Sequence, residues 1–257
     1  MKKNRSDNSF GSFMEVVRRV RSECPWDREQ THQSIRHSLL EETYEVIEAI
    51  DDNNDEELRK ELGDLLLHVA LHSVIAEERK AFSIENVVDG ETEKLIRRHP
   101  HVFGDAKAGT ADEVKVNWER IKLTEGRESV LDGIPRELPA LLRAHRTQEK
   151  ASKVGFDWTA KEDVWKKVEE ELGELREAEA ENAPGHLEEE FGDVLFSLVN
   201  YARFLKINPE QALAKTTQKF STRFRSIEKQ LRAQGKKPED VSLEEMDVLW
   251  NAMKKQS

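Results

Sequence analysis

Cysteine is almost absent: Cys24 is the one thiol in 257 residues. An intrachain disulfide framework and a thiolate zinc site are therefore excluded, and a reducing cytoplasm is the compartment that fits. Proline and glycine are also scarce, at 7 and 12 residues, while 36% of the chain is charged. Few strand-and-turn signals remain, and the charged helix formers predict an all-α fold. Long apolar runs are missing as well. The greasiest stretch, Leu65 to Ala76, is 12 residues long and carries His68 and His72, too short and too polar to span a bilayer. The first ten residues are charged and lack a leader's apolar segment, so a soluble protein with no membrane partner is expected. There is no basic excess either: 41 Lys and Arg face 52 Asp and Glu, a net charge of −11. That balance disfavours a reader of nucleic-acid polymers.

What the chain has instead is a duplicated acidic pattern. Glu-x-x-Glu followed by Glu-x-x-Asp occurs as Glu42, Glu45, Glu61 and Asp64, and again, 129 positions later, as Glu171, Glu174, Glu190 and Asp193. Carboxylates three apart share one face of a helix, about 4.5 Å apart along its axis. Packed carboxylates repel, and some must stay protonated unless a cation sits among them. Hard oxygen ligands of this kind suit Mg²⁺, with Mn²⁺ as a substitute, and leave open positions for phosphate oxygens and water. A single Glu-x-x-Glu in so charged a chain is ordinarily a solvated face; recurrence of all four acids at identical internal spacing favours a site. A di-iron bundle would need Glu-x-x-His, and neither half has it at the required place. His68 and His72 read as packing residues, since Ser197 and Tyr201 replace them in the second half.

Periodicity predicts a helix from about Thr31–Ser34 to Ile50, with Leu39, Leu40, Val46, Ile47 and Ile50 as one apolar stripe. After the turn Asp51 to Glu56 comes a second helix, with Leu62, Leu65, Leu66 and Val69 on its core side. The second half repeats the plan with Val164, Trp165, Val168, Leu172 and Leu175, a break at Asn182 to Gly185, then Val194, Leu195, Phe196 and Val199. A short connection makes each helix pair antiparallel, so both acidic stripes face one cleft. Aromatic and acidic signals precede the pairs, CPWD at Cys24 to Asp27 and VGFDW at Val154 to Trp158. Basic pairs follow them, Lys94 with Arg98 and Lys219 with Arg223, and Trp118 with Lys122 is echoed by Trp250 with Lys254. Two cations on one helix face can grip a polyphosphate, and Trp250 can stack on a base. The expected division is an N-terminal domain over residues 1–125, a linker and leading helix over 126–146, and a C-terminal domain over 147–257. So long a period indicates a duplicated domain, since solenoid repeats are shorter.

Together, Glu170-Glu171-x-x-Glu174 with Glu190-x-x-Asp193, the matching Glu41-Glu42-x-x-Glu45 with Glu61-x-x-Asp64, CPWD-x-x-Q-T-H, RRHPHVFGD and VGFDW resemble the tandem-domain MazG nucleoside triphosphate pyrophosphohydrolases. The resemblance spans nearly the whole chain. It implies two tandem helical-bundle domains, assembly as a homodimer, and Mg²⁺-dependent cleavage of ribo- and deoxynucleoside triphosphates to monophosphate and pyrophosphate. It makes Glu171, Glu174, Glu190 and Asp193 metal ligands, with Glu42, Glu45, Glu61 and Asp64 as a second site. Lys219, Arg223 and Trp250 become nucleotide contacts, and Lys122, whose pairing with Trp118 echoes Trp250 with Lys254, and His186 are expected to join them. The position four before the second acidic pair, often a lysine in the family, is His186 here and Glu57 in the first half, which favours the second half as the catalyst. Glu170, Glu171 and Glu174 remain alternatives for handling the proton. A helical nucleotide sensor or adaptor without turnover is the rival reading, and tight binding without product would mark it.

Overall fold

The computed structural model describes residues 9–126, 128–181 and 184–254, and the described residues are helical with no strand. They form two compact units, Met1–Gly109 and Thr110–Ser257. The boundary lies before the helix Ala111–Thr124, which the sequence places at the end of the first domain. Residues 1–8, and Asn182 and Ala183 of the expected break, lie outside the described residues.

The first unit contains α1 (Ser9–Glu23), α2 (Pro25–Glu29), α3 (Arg36–Asp51), α4 (Asp55–Glu78), α5 (Ile84–Arg98) and α6 (Pro100–Phe103). α3 and α4 form the central hairpin. Their turn is closed by Asn53, in the left-handed region at φ 52°, and by the Asn54 N–H donating 2.9 Å to the Ala49 carbonyl. The Asn54 side chain then caps α4 by accepting from Glu57 N–H. α1 packs across α4, burying Met14, Val17, Ile35, Leu71, Val74 and Ile75 in one cluster. Truncating Leu71 to Ala there would cost about 2–5 kcal/mol. Arg21, itself buried, donates to both oxygens of Glu78 and to the carbonyls of Asp27 and Gln30, which ties the CPWD segment to the end of α4.

The second unit contains α7 (Ala111–Thr124), α8 (Ala140–Ser152), α9 (Lys161–Glu181), α10 (Pro184–Phe204), α11 (Pro209–Ala233) and α12 (Leu243–Lys254). α9 and α10 form the matching hairpin, α8 packs on α10, and α11 packs on α8 and α12. Val164, Val168, Val194, Val199, Ile227 and Leu231 are buried between them. α8 ends where Gly155, at φ 87°, lets the Phe156 N–H return 3.2 Å to the Ala151 carbonyl. That turn throws Phe156, Asp157 and Trp158 back toward α10.

The helices fall where periodicity places them, but the apolar stripes do not all face inward. Leu40, Ile47 and Ile50 on α3, and Leu62, Leu66 and Val69 on α4, are exposed, Ile50 to 54%. Trp165 and Leu172 on α9, and Phe191, Leu195 and Phe196 on α10, are exposed too. The core of each unit is instead built from the side that meets α1 or α8, which helical spacing of the hairpin alone does not distinguish.

Candidate active site

The acidic residues converge in both units. Carboxylate oxygens of Glu42, Glu45 and Glu61 lie within 4.8 Å of one another, and those of Glu171, Glu174 and Glu190 do the same. Each triad takes two residues from the first helix of a hairpin and one from the second, as the i, i+3 spacing requires. The fourth acids stand apart from the triads. Asp64 is close enough for its charge to act on Glu42 and Glu61, and Asp193 lines a neighbouring cavity together with Glu171.

Crowding has an electrostatic cost. In the first unit burial, then the charges of Glu45 and Asp64, raise the Glu42 pKa. Burial, a hydrogen bond with Glu57 and the nearby Glu45, Glu57 and Asp64 charges push Glu61 up to about 7. In the second unit Glu174 is raised, first by its hydrogen bond with Glu171 and then by burial. Glu190 Oε2 is buried without a protein partner, while its other oxygen meets His186 Nε2 at 3.1 Å. These groups fit a divalent cation: ligand oxygens around Mg²⁺ at 2.0–2.1 Å stand roughly 3–4 Å from one another, and positive charge relieves the repulsion.

The second unit already sets one cation against its triad. Lys167 Nζ lies 2.6 Å from Glu170 and 2.7 Å from the buried Glu171, and its pKa is raised by those hydrogen bonds. Sequence comparison of the halves misses Lys167 because Ser38 occupies the matching position; its i, i+4 spacing from Glu171 was the available signal. Beside it opens a cavity of about 420 Å³, lined by Phe156, Trp158, Val164, Phe196, Gln148 and Arg203 among others, with Lys167, Glu171 and Asp193 in the same wall. Asp157 of VGFDW forms a paired contact with Arg203, one arm at 2.9 Å, which fixes the aromatic segment against α10. The echo of CPWD in VGFDW singles out Asp157, but Val74 stands 129 positions before Arg203, so the repeat does not single out its partner.

The basic and aromatic candidates lie elsewhere in the unit. The Arg223 guanidinium stands 5.8 Å from the Trp250 ring, with Nε buried and unpaired, and Phe220 packs on the same ring at 5.1 Å. Lys219 is exposed one turn earlier on α11. None of Lys219, Arg223 and Trp250 lines the cavity. Lys122 Nζ lies over the Trp118 ring at 5.0 Å. In the first unit His68 is buried, and His32 and His72 share a 2.8 Å contact between their Nδ1 atoms with rings stacked at 5.1 Å. Packing thus accounts for His72 as the sequence suggests, while the QTH histidine emerges as its partner.

Comparison with known proteins follows the same two hairpins. The MazG nucleotide pyrophosphohydrolase domain model matches residues 30–103 and 160–227. The chain belongs to the MazG family. It is 47% identical over 250 residues to the nucleoside triphosphate pyrophosphohydrolase/pyrophosphatase MazG of Thermotoga maritima, covering 95% of both chains. It is 42% identical over 260 residues to the nucleoside triphosphate pyrophosphohydrolase of Escherichia coli K12, covering 97% of this chain and 98% of that one. It also matches the uncharacterized protein YabN of Bacillus subtilis, at 46% identity over 96% of this chain and 52% of YabN. Each MazG match encloses one acidic triad, so the tandem all-α organisation expected from the sequence is that of the family. Among the described residues no helix is long and apolar enough to cross a membrane.

Proposed function

We propose that this chain hydrolyses nucleoside triphosphates, ribo and deoxy, to nucleoside monophosphate and pyrophosphate, and that the second unit carries the reaction. The observation behind this reading is the junction of the Glu171, Glu174 and Glu190 triad with a cavity whose wall includes Lys167 and Asp193. Glu171, Glu174 and Glu190, with Asp193 beside them, would hold Mg²⁺ or Mn²⁺. Such an ion supplies charge neutralisation at the phosphates and acidifies a bound water.

The chain's own groups do the rest. Lys167 neutralises Glu170 and Glu171 and, in the presence of a triphosphate, is placed to turn its ammonium toward phosphate oxygens. His186 orients Glu190 through their 3.1 Å contact. Glu174, raised by Glu171 and burial, joins Glu170 and Glu171 as an acceptor for the proton of attacking water. Lys219, Arg223 and Lys122 add positive charge for the polyphosphate, and Trp250 backs the Arg223 guanidinium. The Glu42, Glu45 and Glu61 triad is a second ion site without the internal lysine.

The active form is a homodimer. Tyr44, Ile47 and Leu62 in the first unit, and Phe191, Leu195 and Leu198 in the second, leave apolar side chains uncovered, and clustered exposed apolar residues mark protein–protein contact sites. Free nucleotides place the enzyme in the cytoplasm, where removal of unwanted triphosphates is its role. Purified protein with Mg²⁺ and a panel of triphosphates should release pyrophosphate; no release by folded protein from any of them rejects the reading.

A further inference from the structure

The cavity beside Glu171 and Asp193 has chemistry of its own. Its volume, about 420 Å³, lies in the range of small-ligand sites. Phe156, Trp158 and Phe196 give it flat apolar walls, the kind of surface on which a heterocycle stacks. Several polar side chains in the lining have already committed hydrogens to the protein. Thr147 donates to the Arg143 carbonyl at 2.9 Å, and Ser197 to the Val194 carbonyl at 2.9 Å. Arg203 donates to Asp157 and, at 3.0 Å, to Asn200 Oδ1.

Gln148 is the exception in the opposite sense. It lines the cavity at 8% exposure, and its Nε2 donates to the Phe196 carbonyl at 2.8 Å. A carbonyl only accepts, so the amide cannot be turned round: NH₂ faces Phe196 and the oxygen is the free end. That oxygen, Oε1, is buried with no protein partner. A buried acceptor left unmet is destabilising, so it marks a place where a donor belongs.

We propose that this cavity receives the nucleobase of the triphosphate, and that Gln148 Oε1 accepts a hydrogen bond from an exocyclic amino group on that base. Bases bearing such a group, adenine, cytosine or guanine, are thereby favoured over analogues without it. The assignment rests on the reading of the adjoining carboxylates as the triphosphate end of the site. It also separates the two halves. Gln148 stands nine residues before Asp157, and nine residues before Asp27 stands Arg18, a pure donor that pairs with Glu77 at 3.3 Å. The first unit lacks the acceptor that would read the base in this way.

The test measures pyrophosphate release by the full chain with Mg²⁺ on two matched pairs. ATP is set against purine riboside triphosphate, which lacks the 6-amino group, and CTP against 2-pyrimidinone riboside triphosphate, which lacks the 4-amino group. The amino form should win by about tenfold in kcat/KM in at least one pair, because its absence leaves Oε1 unpaired. Gln148→Met should bring that ratio to within about twofold of unity, and Gln148→Lys, which presents a donor, should reverse it. A general loss of packing would lower both members of a pair together and leave the ratio standing. Carrying both variants, with helicity checked, guards against one failing to fold. Turnover by wild type with no preference in either pair, or a preference untouched in a folded variant, overturns the role of Gln148. No pyrophosphate from any of the four would instead sink the reading of the site itself.

Discussion

Lys167 Nζ lies 2.7 Å from Glu171 Oε1, whereas the position 129 residues earlier is Ser38. Two acidic triads of the same geometry therefore differ in their internal charge balance. In the second unit a lysine offsets two glutamates; in the first no such lysine stands at the matching position, and burial first, then the neighbouring carboxylates, raise Glu42 and Glu61. Lys167→Met should lower kcat/KM by about 10- to 100-fold, the usual worth of a charge-assisted contact to phosphate or carboxylate. Steady-state pyrophosphate release checks this; an unchanged kcat/KM would show that the ammonium is only a structural counter-ion.

The first unit should respond to pH through Glu61. Its folded pKa of about 7 lies above that of an unfolded glutamate, about 4.3, so the folded state binds the extra proton. Its contribution to stability is complete below the unfolded value and is lost as pH rises through about 7. In EDTA the melting temperature should fall between about pH 5 and pH 8, and Glu61→Gln should flatten that slope. Bound divalent metal requires the carboxylate, so metal affinity at this site should rise over the same interval. Calorimetry at a series of pH values, with and without Mg²⁺, reads both effects.

The helix hairpins and the acidic triads were legible because they obey local rules: i, i+3 carboxylates share a face, and Asn54 and the Asp51–Glu56 turn punctuate the chain. The exposed stripe of Leu40, Ile47 and Ile50 was not legible, since helical periodicity identifies an apolar face without saying what covers it. Lys167, Gln148 and Arg203 escaped for another reason. Comparison of the halves finds what they share, and these residues embody what they do not. Lys219, Arg223 and Trp250 illustrate the converse: their grouping on α11 and α12 is consistent with the sequence pattern, yet the cavity beside the triad is lined by other residues.

The choice of the second unit is tested by one pair of variants. Asp193→Asn removes a charge from the wall shared by cavity and triad, and Asp64→Asn is its counterpart in the first unit. Even outer-shell partners of a metal site cost about 10- to 100-fold when changed, so Asp193→Asn should lower kcat by about 100-fold or more with helicity preserved. Asp64→Asn should leave most of the activity. The opposite pattern would move catalysis to the first unit.

Magnesium should stabilise the folded chain by mass action. At about 100 times its Kd, a ligand bound only by the native state adds about 2.7 kcal/mol, equivalent to about 5–10 °C in melting temperature for a chain of this size. Replacing Glu190 by Gln should remove the second unit's share, since Glu190 Oε2 has no other partner to lose. A melting temperature indifferent to saturating Mg²⁺ would count against ion binding at either triad.

The last prediction concerns the uncovered face of α10. Phe191 is 56% exposed and Leu195 and Leu198 are also open, although Val194 and Val199 on the same helix are buried. Phe191, Leu195 and Leu198, at i, i+4 and i+7, thus form one open apolar stripe between the buried Val194 and Val199. Covering that stripe with a second copy would recover about 25 cal/mol for each Å² of apolar surface removed from water. A standard interface of about 1,600 Å² in total is ample for a stable dimer. Leu195→Asp should place a desolvated charge in that interface and convert the dimer to a single chain, read as a halved mass by light scattering. Helicity should persist, because Val194 and Val199 are untouched. If wild-type protein already scatters as one chain, the apolar faces are not dimer contacts.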